Sequence, residues 1–211
     1  KDPTDAHSAE YHALAVAKLI QFADYVVFNP SSPNTENLRL LQAASPLRDH
    51  LQAMREETIG KPLWAKFAPD ISYEQLDESV EVAIEEGAAG VILANTTVNQ
   101  GIKAKYGTRW ANEAGGLSGD DYEYRKMTTD MIRHVYEEYG DELEIIGVGA
   151  IKYGQTALEK IKAGASAIQV VTAIRPSLGR VASKTNRDIV DYMEREGMTN
   201  VKELIGLDTN R

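Results

Sequence analysis

Apolar positions along this chain fall into two alternating kinds of block, one with helical spacing and one continuous. Residues 8–22 place Tyr11, Leu14, Ala15, Leu19 and Phe22 on one helical face. Ser45-Pro46 reads as an N-cap followed by proline at the first helical position, and Leu47, Leu51 and Met54 line the helix that runs on toward Gly60. Ser72 and Gln75 form a capping box, opening a helix with Leu76, Val80, Ala83 and Ile84 inward and Gly87 as its stop. Further helices are predicted over 121–138 (Met127, Met131, Ile132, Val135), 154–163, 180–195 and 200–204. Between them lie short runs without alternation, at 25–28, 62–67, 90–94, 144–149 and 167–171. All five read as strands, and the first, Tyr25-Val26-Val27-Phe28, four β-branched or aromatic residues in a row, as one buried on both faces.

Strand then helix recurs five times behind an opening helix, which predicts a parallel sheet flanked by helices. A TIM barrel and an open doubly wound sheet both fit that order. No Gly-x-Gly-x-x-Gly follows the first strand, which weakens the dinucleotide-binding version. Five strands cannot close an eight-stranded barrel, so the barrel reading requires strands that this sequence lacks. The stretch 95–119 is polar and long for a loop in a compact domain, a pattern usually reserved for function.

Composition narrows the partners. With 211 residues, 43% of them hydrophobic, the chain is read as a single domain, 1–211. It has 23 basic and 32 acidic side chains, a net charge of −9, which argues against nucleic acid. With no cysteine, disulfides, thiolate metal sites and a cysteine nucleophile are excluded. His7, His12, His50 and His134 have no metal-ligand spacing and are read as surface or helix residues, so no metal is expected. No apolar run approaches the roughly 18 residues of a membrane span.

Each predicted strand ends in chemically pointed residues. After the first come Asn29-Pro30-Ser31-Ser32-Pro33-Asn34-Thr35, amides and hydroxyls on a backbone stiffened by two prolines. As a plain turn the segment needs no function; at a strand's C-terminal end in an α/β fold it sits where ligands bind. Lys66 interrupts an apolar strand, where an ammonium either meets an anion or snorkels to the sheet edge. Asn95-Thr96-Thr97 follows the third strand, and Gly115-Gly116-Leu117-Ser118-Gly119 closes the long loop. Gly147-Val148-Gly149-Ala150 ends the fourth strand before a helix, which suits backbone N–H contacts to phosphate. The fifth strand leads to Val171-Thr172.

Taken in order, these segments resemble one family. Asn-x-Ser-Ser-Pro-Asn-Thr at 29–35, Lys-x-Ala-Pro-Asp at 66–70, Asn-Thr-Thr at 95–97, Gly-Gly-Leu-Ser-Gly at 115–119, Ile-Ile-Gly-Val-Gly at 145–149 and Gly-Ala-Ser-x-x-Gln at 164–169 are similar to class 2 dihydroorotate dehydrogenases over about residues 1–206. The resemblance implies a (β/α)8 TIM barrel, here incomplete with about five βα units, and FMN at the C-terminal strand ends. It implies oxidation of dihydroorotate to orotate in pyrimidine synthesis, with a quinone as final acceptor. It also implies a peripheral place on the cytoplasmic face of the cell membrane, reached through N-terminal helices with no counterpart in this sequence. By motif, Ser32 matches the catalytic base and Thr35 a proton relay. Asn29, Asn34, Asn95 and Thr96 match substrate positions. Asn29 also lies near FMN, and Lys66 matches the lysine that stabilises reduced flavin. Ser118 and Gly119 match flavin contacts; Gly149, Ala150, Val171 and Thr172 match the phosphate cradle. Serine rather than cysteine as base points to class 2.

The match has departures. Ala94 stands where the family usually has threonine, Ala150 for the second glycine of the phosphate motif, Val171 for a tyrosine and Pro30 for valine or isoleucine. Alanine at 150 is compatible with its role if its φ is negative. The family's first three strands, including the Ala-Ala-Gly-x-Asp-Lys segment, are also unmatched. The isolated chain is therefore expected to have open sheet edges at 25–28 and 167–171, weak FMN binding and no dihydroorotate oxidation. Two other readings remain: a non-catalytic half-barrel that binds phosphate or flavin, and an FMN barrel enzyme with another substrate. The asparagines at 29, 34 and 95 disfavour the last, because they suit a flat ring of carbonyl and N–H groups such as a pyrimidine.

Overall fold

A computed structural model describes residues 7–211. The five strands are β1 (Val26–Phe28), β2 (Leu63–Phe67), β3 (Gly90–Leu93), β4 (Glu144–Val148) and β5 (Ala167–Gln169). They form one parallel sheet in the order β1-β2-β3-β4-β5. The register runs Phe28 to Ala65, Phe67 to Leu93 to Gly147, and Val148 to Gln169. The sheet is therefore open, with β1 and β5 at its edges, as five βα units of an unclosed barrel require.

β3 is buried at every position, whereas β1, read as buried on both faces, buries only Phe28 and leaves Val26 and Val27 half-buried at the sheet's edge. Leu63, Ala65 and Phe67 are buried while Trp64 and Lys66 are half-buried, and β4 alternates likewise. The buried face shares one core with α2 (Ala44–Glu57), α3 (Tyr73–Glu85) and α6 (Tyr122–Tyr139), through Leu47, Leu51, Met54, Leu76, Val80, Ile132 and Val135. The other face carries Lys66, beside Ile92 in the register. A sheet with helices on one face and a half-open second face matches a barrel wall, whereas a doubly wound sheet covers both.

Local signals placed most elements. Ser72 accepts from the Gln75 N–H and the Gln75 side chain accepts from the Ser72 N–H, completing the capping box of α3. Asp121 caps α6 by accepting from the Tyr124 N–H at 2.7 Å. Two helical expectations need correction. In α1 (Ala9–Leu19) and the 3₁₀ turn after it, Val16 and Ile20 are buried, whereas Leu14, Leu19 and Phe22 are exposed, Phe22 at 82%. The stripe His12, Val16, Ile20 packs inward because Phe28 and His50 offer it ring faces, with His12 centroids 5.5 and 5.2 Å away. Helix α2 starts at Ala44 with Ala43 as cap, so Ser45 caps nothing and Pro46 sits inside the first turn, where its missing N–H costs no helical bond. His50 is a helix residue as expected, but buried and stacked on Phe28 at 5.1 Å. The stretch 95–119 is not unstructured: an antiparallel bridge joins Thr97 to Leu117, and two short helices, α4 (Gln100–Ala104) and α5 (Thr108–Ala111), lie between.

Helix α7 (Gly154–Lys162) buries a cation. Lys160 is 0% exposed. Its Nζ donates to the Arg125 carbonyl at 3.0 Å and to the Thr128 and Thr129 hydroxyls at 2.5 and 2.8 Å. Three neutral oxygens satisfy its donors but do not neutralise its charge. Burial pulls its pKa from 10.5 to about 7, with Arg125 adding to the fall and Glu159 and Asp130 opposing it. Between about pH 7 and 10.5 the unfolded chain holds a proton that the folded chain releases, so stability rises with pH across that window and is lost as pH falls through it. Lys160→Met removes this dependence. Urea denaturation at pH 7 and pH 10 is expected to show the native chain gaining on the variant by about 2–4 kcal/mol toward high pH. Parallel curves would mean that Lys160 stays charged when folded.

Candidate active site

The in-register parallel strands bring five loops to one edge of the sheet. A cavity of about 230 Å³ opens there, lined by Lys66, Asn95, Thr96, Ser118, Gly119, Gly149, Ala150, Val171 and Thr172, with Ala94, Tyr124 and Gln169. These nine sequence-predicted residues come from four different strand ends. A larger depression of about 810 Å³ lies between α7 and α8 (Val181–Glu196) and contains none of them.

The backbone turns hard at the end of β4. Gly149 has φ +111°, and a Cβ there would come within 2.8 Å of the Thr128 hydroxyl. Ala150 follows at φ +53°, so the condition under which alanine fits this position without strain is not met. The residue adopts the left-handed conformation a glycine takes freely, at a cost of about 1 kcal/mol or more. Its methyl packs with Ile102 and Tyr124, which offsets part of that cost. Across the cavity mouth Ser118 Oγ and Thr172 Oγ1 are 2.9 Å apart, tying the long loop to the end of β5.

Lys66 projects from β2 into this cavity without a hydrogen-bond or carboxylate partner among the described residues. Desolvation lowers its pKa. A half-buried ammonium that no protein group neutralises, beside a turn of small residues with φ above zero, suits an anionic ligand.

The first loop stands beside the cavity rather than in its lining. Asn29, Ser32, Asn34 and Thr35 do not line it. Asn95 links the two: its Nδ2 donates to Asn29 Oδ1 at 3.3 Å and to Ser31 Oγ at 3.0 Å, while Ser31 Oγ donates to Asn29 Oδ1 at 2.7 Å. Asn95 Oδ1 accepts from the Thr96 N–H, which fixes its amide orientation. Ser32 Oγ accepts from the Asn34 N–H at 3.2 Å. Gly116 is hemmed in by Thr96 and Pro33, so the long loop closes against the serine loop.

Four residues that the motifs left without a role complete the frame. Ser31 is fully buried in the amide cluster. Tyr124 donates its hydroxyl to the Asn95 carbonyl at 2.9 Å; burial and the charge of Asp70 raise its pKa. Arg39 donates to Ser31 O, Asp70 Oδ2 and Thr96 O. Asp70 in turn accepts from the Thr97 hydroxyl and the Val98 N–H. An arginine inside the apolar run Leu38-Arg39-Leu40-Leu41 is the signal that could have marked this frame.

A one-sided parallel α/β wall, with a desolvated ammonium, a tight small-residue turn and an amide cluster at its C-terminal strand ends, has the architecture of the α/β-barrel class. Comparison with known proteins sharpens this. The family model for dihydroorotate dehydrogenase matches residues 4–193. A dihydroorotate dehydrogenase (quinone) of Anaeromyxobacter dehalogenans is 37% identical over 210 residues, covering 98% of this chain and 56% of that protein. The mitochondrial dihydroorotate dehydrogenase (quinone) of Mus musculus is 36% identical, covering 100% of this chain and 54% of the relative. A crystal structure of DHODH from Eimeria tenella in complex with ferulenol superposes with a TM-score of 0.87 at 30% identity, covering 96% of this chain and 59% of that one. The chain belongs to the dihydroorotate dehydrogenase family. It spans about half the length of the curated relatives it matches. Membership implies a flavin cofactor.

The turn at Gly149 offers a direct check. Gly149→Ala puts a methyl against Thr128 and forces an unfavourable φ. Stability is expected to fall by about 2–4 kcal/mol in chemical denaturation. A loss below about 0.5 kcal/mol would mean that the turn relaxes freely.

Proposed function

We propose that this chain carries the catalytic and phosphate-binding side of an FMN-dependent oxidation of (S)-dihydroorotate to orotate, with a quinone as final acceptor, in pyrimidine nucleotide synthesis. The observation that carries this reading is the unpaired Lys66 ammonium in a cavity bounded by the Asn29–Ser31–Asn95 cluster on one side and the Gly149-Ala150 turn on the other. FMN held there would supply the acceptor for the hydride at C6 of dihydroorotate.

The protein groups divide the remaining work. The backbone at Gly149, Ala150, Val171 and Thr172 would hold the phosphate, and Ser118 and Gly119 would flank the cofactor. Asn29, Asn34, Asn95 and Thr96 bind the pyrimidine ring, whose carbonyl and N–H edges match amide donors and acceptors. Ser32 Oγ removes the C5 proton, and Thr35 passes it outward. A serine hydroxyl is a weak base in water, so this step depends on a site closed against solvent and on placement within hydrogen-bond reach. The positive charge of Lys66 counts most as negative charge builds on the flavin. A quinone acceptor fits a membrane-associated enzyme. Among the described residues no helix is long and apolar enough to cross a membrane, so the contact we propose is peripheral, at the cytoplasmic face.

Two substitutions test the assignment. The assay fuses the N-terminal segment of the Anaeromyxobacter relative ahead of Lys1, to supply the barrel portion outside the matched half. Ser32→Ala is expected to slow flavin reduction by dihydroorotate roughly 10²–10⁴-fold with flavin still bound; near-native reduction would remove Ser32 from the role of base. Lys66→Ala is expected to impair flavin reduction more than flavin binding. Unchanged reduction at ordinary FMN occupancy would leave Lys66 as a lysine that merely snorkels.

A further inference from the structure

We propose that Arg39, acting with Asp70, is the residue that positions the serine-bearing loop against the asparagine–threonine loop. The proposal deepens the reading above and rests on it for the roles of Ser32 and Asn95. Arg39 touches none of the reacting groups and lines no part of the cavity. Its guanidinium instead reaches three loops at once. Nε donates to the Ser31 carbonyl at 3.0 Å, Nη1 to Asp70 Oδ2 at 2.9 Å and Nη2 to the Thr96 carbonyl at 2.9 Å. Those acceptors follow β1, β2 and β3 respectively. Two of them directly adjoin proposed site residues: Ser31 precedes Ser32, and Thr96 follows Asn95.

The planar guanidinium fixes the angles between its donors, so the three acceptors are held in one mutual geometry rather than separately tethered. Asp70 extends the hold. Its Oδ2 also accepts from the Val98 N–H at 2.9 Å, and its Oδ1 accepts from the Thr97 hydroxyl. Residues 95–98 are thus pinned from the Arg39 side, while Tyr124 holds the Asn95 carbonyl from the other. The side chains of Arg39 and Asp70 are only 22% and 15% exposed, so water competes weakly for these bonds. Their charges cancel locally, which leaves Lys66 as the uncompensated cation of the site.

The 3₁₀ turn that bears Arg39, Leu38–Gln42, has other anchors. Leu38 and Leu41 are buried, Gln42 Oε1 accepts from the Ala68 N–H at 2.7 Å, and Gln42 O accepts from the Ser79 hydroxyl at 2.8 Å. Removing the guanidinium therefore loosens the two loops without unfolding the turn.

The test compares Arg39→Met, Arg39→Lys and Asp70→Asn with the native chain by amide hydrogen exchange. Exchange in 31–35 and 96–99 is expected to accelerate together, by about tenfold or more, while 149–150 and β2–β4 keep native protection. Lysine keeps the charge but not the fork, so Arg39→Lys is expected to behave like Arg39→Met. In the fusion protein, Arg39→Lys is expected to lower flavin reduction at saturating dihydroorotate by about tenfold or more, with FMN affinity unchanged. Acceleration confined to 38–42, or full rescue by lysine, overturns the proposal. Coupled loosening alongside an active Ser32→Ala variant would uphold the positioning role while refuting Ser32 as base.

Discussion

Because β1 to β5 run parallel and pair in sequence order, every strand delivers its following loop to the same edge of the sheet. Peptide hydrogen bonds set this register, and the helix-facing core of Leu63, Ala65, Phe67, Val91, Leu93 and Ile145 locks it, since a one-residue slip would turn that face outward. Segments as distant as Ser31 and Thr172 become neighbours of one cavity region only through this pairing. The same alternation that buries Ala65 and Phe67 sends Lys66 to the opposite, half-open face. A lysine one position along would point into the helices.

On that frame a chain of net charge −9 handles its inward-facing cations in three ways. Arg39 is matched with a carboxylate and two carbonyls. Lys103 and Lys160 are buried among neutral oxygens: the carbonyls of Glu113 and Gly115 for the first, the Arg125 carbonyl and two threonine hydroxyls for the second. Lys66 has neither kind of partner among the described residues and faces the cavity. Arg39, Lys103 and Lys160 are satisfied within the protein, and the contrast with Lys66 is what supports the role toward an anionic ligand that we propose for it. This contrast gives Lys66 a meaning that its position in an apolar strand alone does not.

The strand–helix order, nine of the cavity-lining residues and the family were legible in the sequence because each rests on a local signal: apolar runs, capping residues and motifs at strand ends. What escaped was set by tertiary neighbours. The inward stripe of α1 is His12, Val16 and Ile20 because Phe28 and His50 lie beneath it, and nothing in residues 8–22 says so. The positive φ of Ala150 could not be read from its identity, since alanine ordinarily avoids the left-handed region; the closeness of Thr128 to Gly149 shows how tightly the turn is packed. The Arg39–Asp70 frame joins residues 31 positions apart, and no spacing rule finds such a pair. The long loop concealed two short helices because each falls below the length at which periodicity can be read.

The central claim is that a flavin phosphate sits at the shared strand-end cavity of this half of the family's fold. The most direct measurement titrates FMN into the isotope-labelled chain and maps the perturbed backbone amides by NMR, a readout that tolerates weak binding. The account predicts coincident shifts at Ser118, Gly119, Gly149, Ala150, Val171 and Thr172, reduced in affinity by Lys66→Ala. Shifts confined to the groove between α7 and α8, around Tyr153, Asp188 and Tyr192, would contradict it.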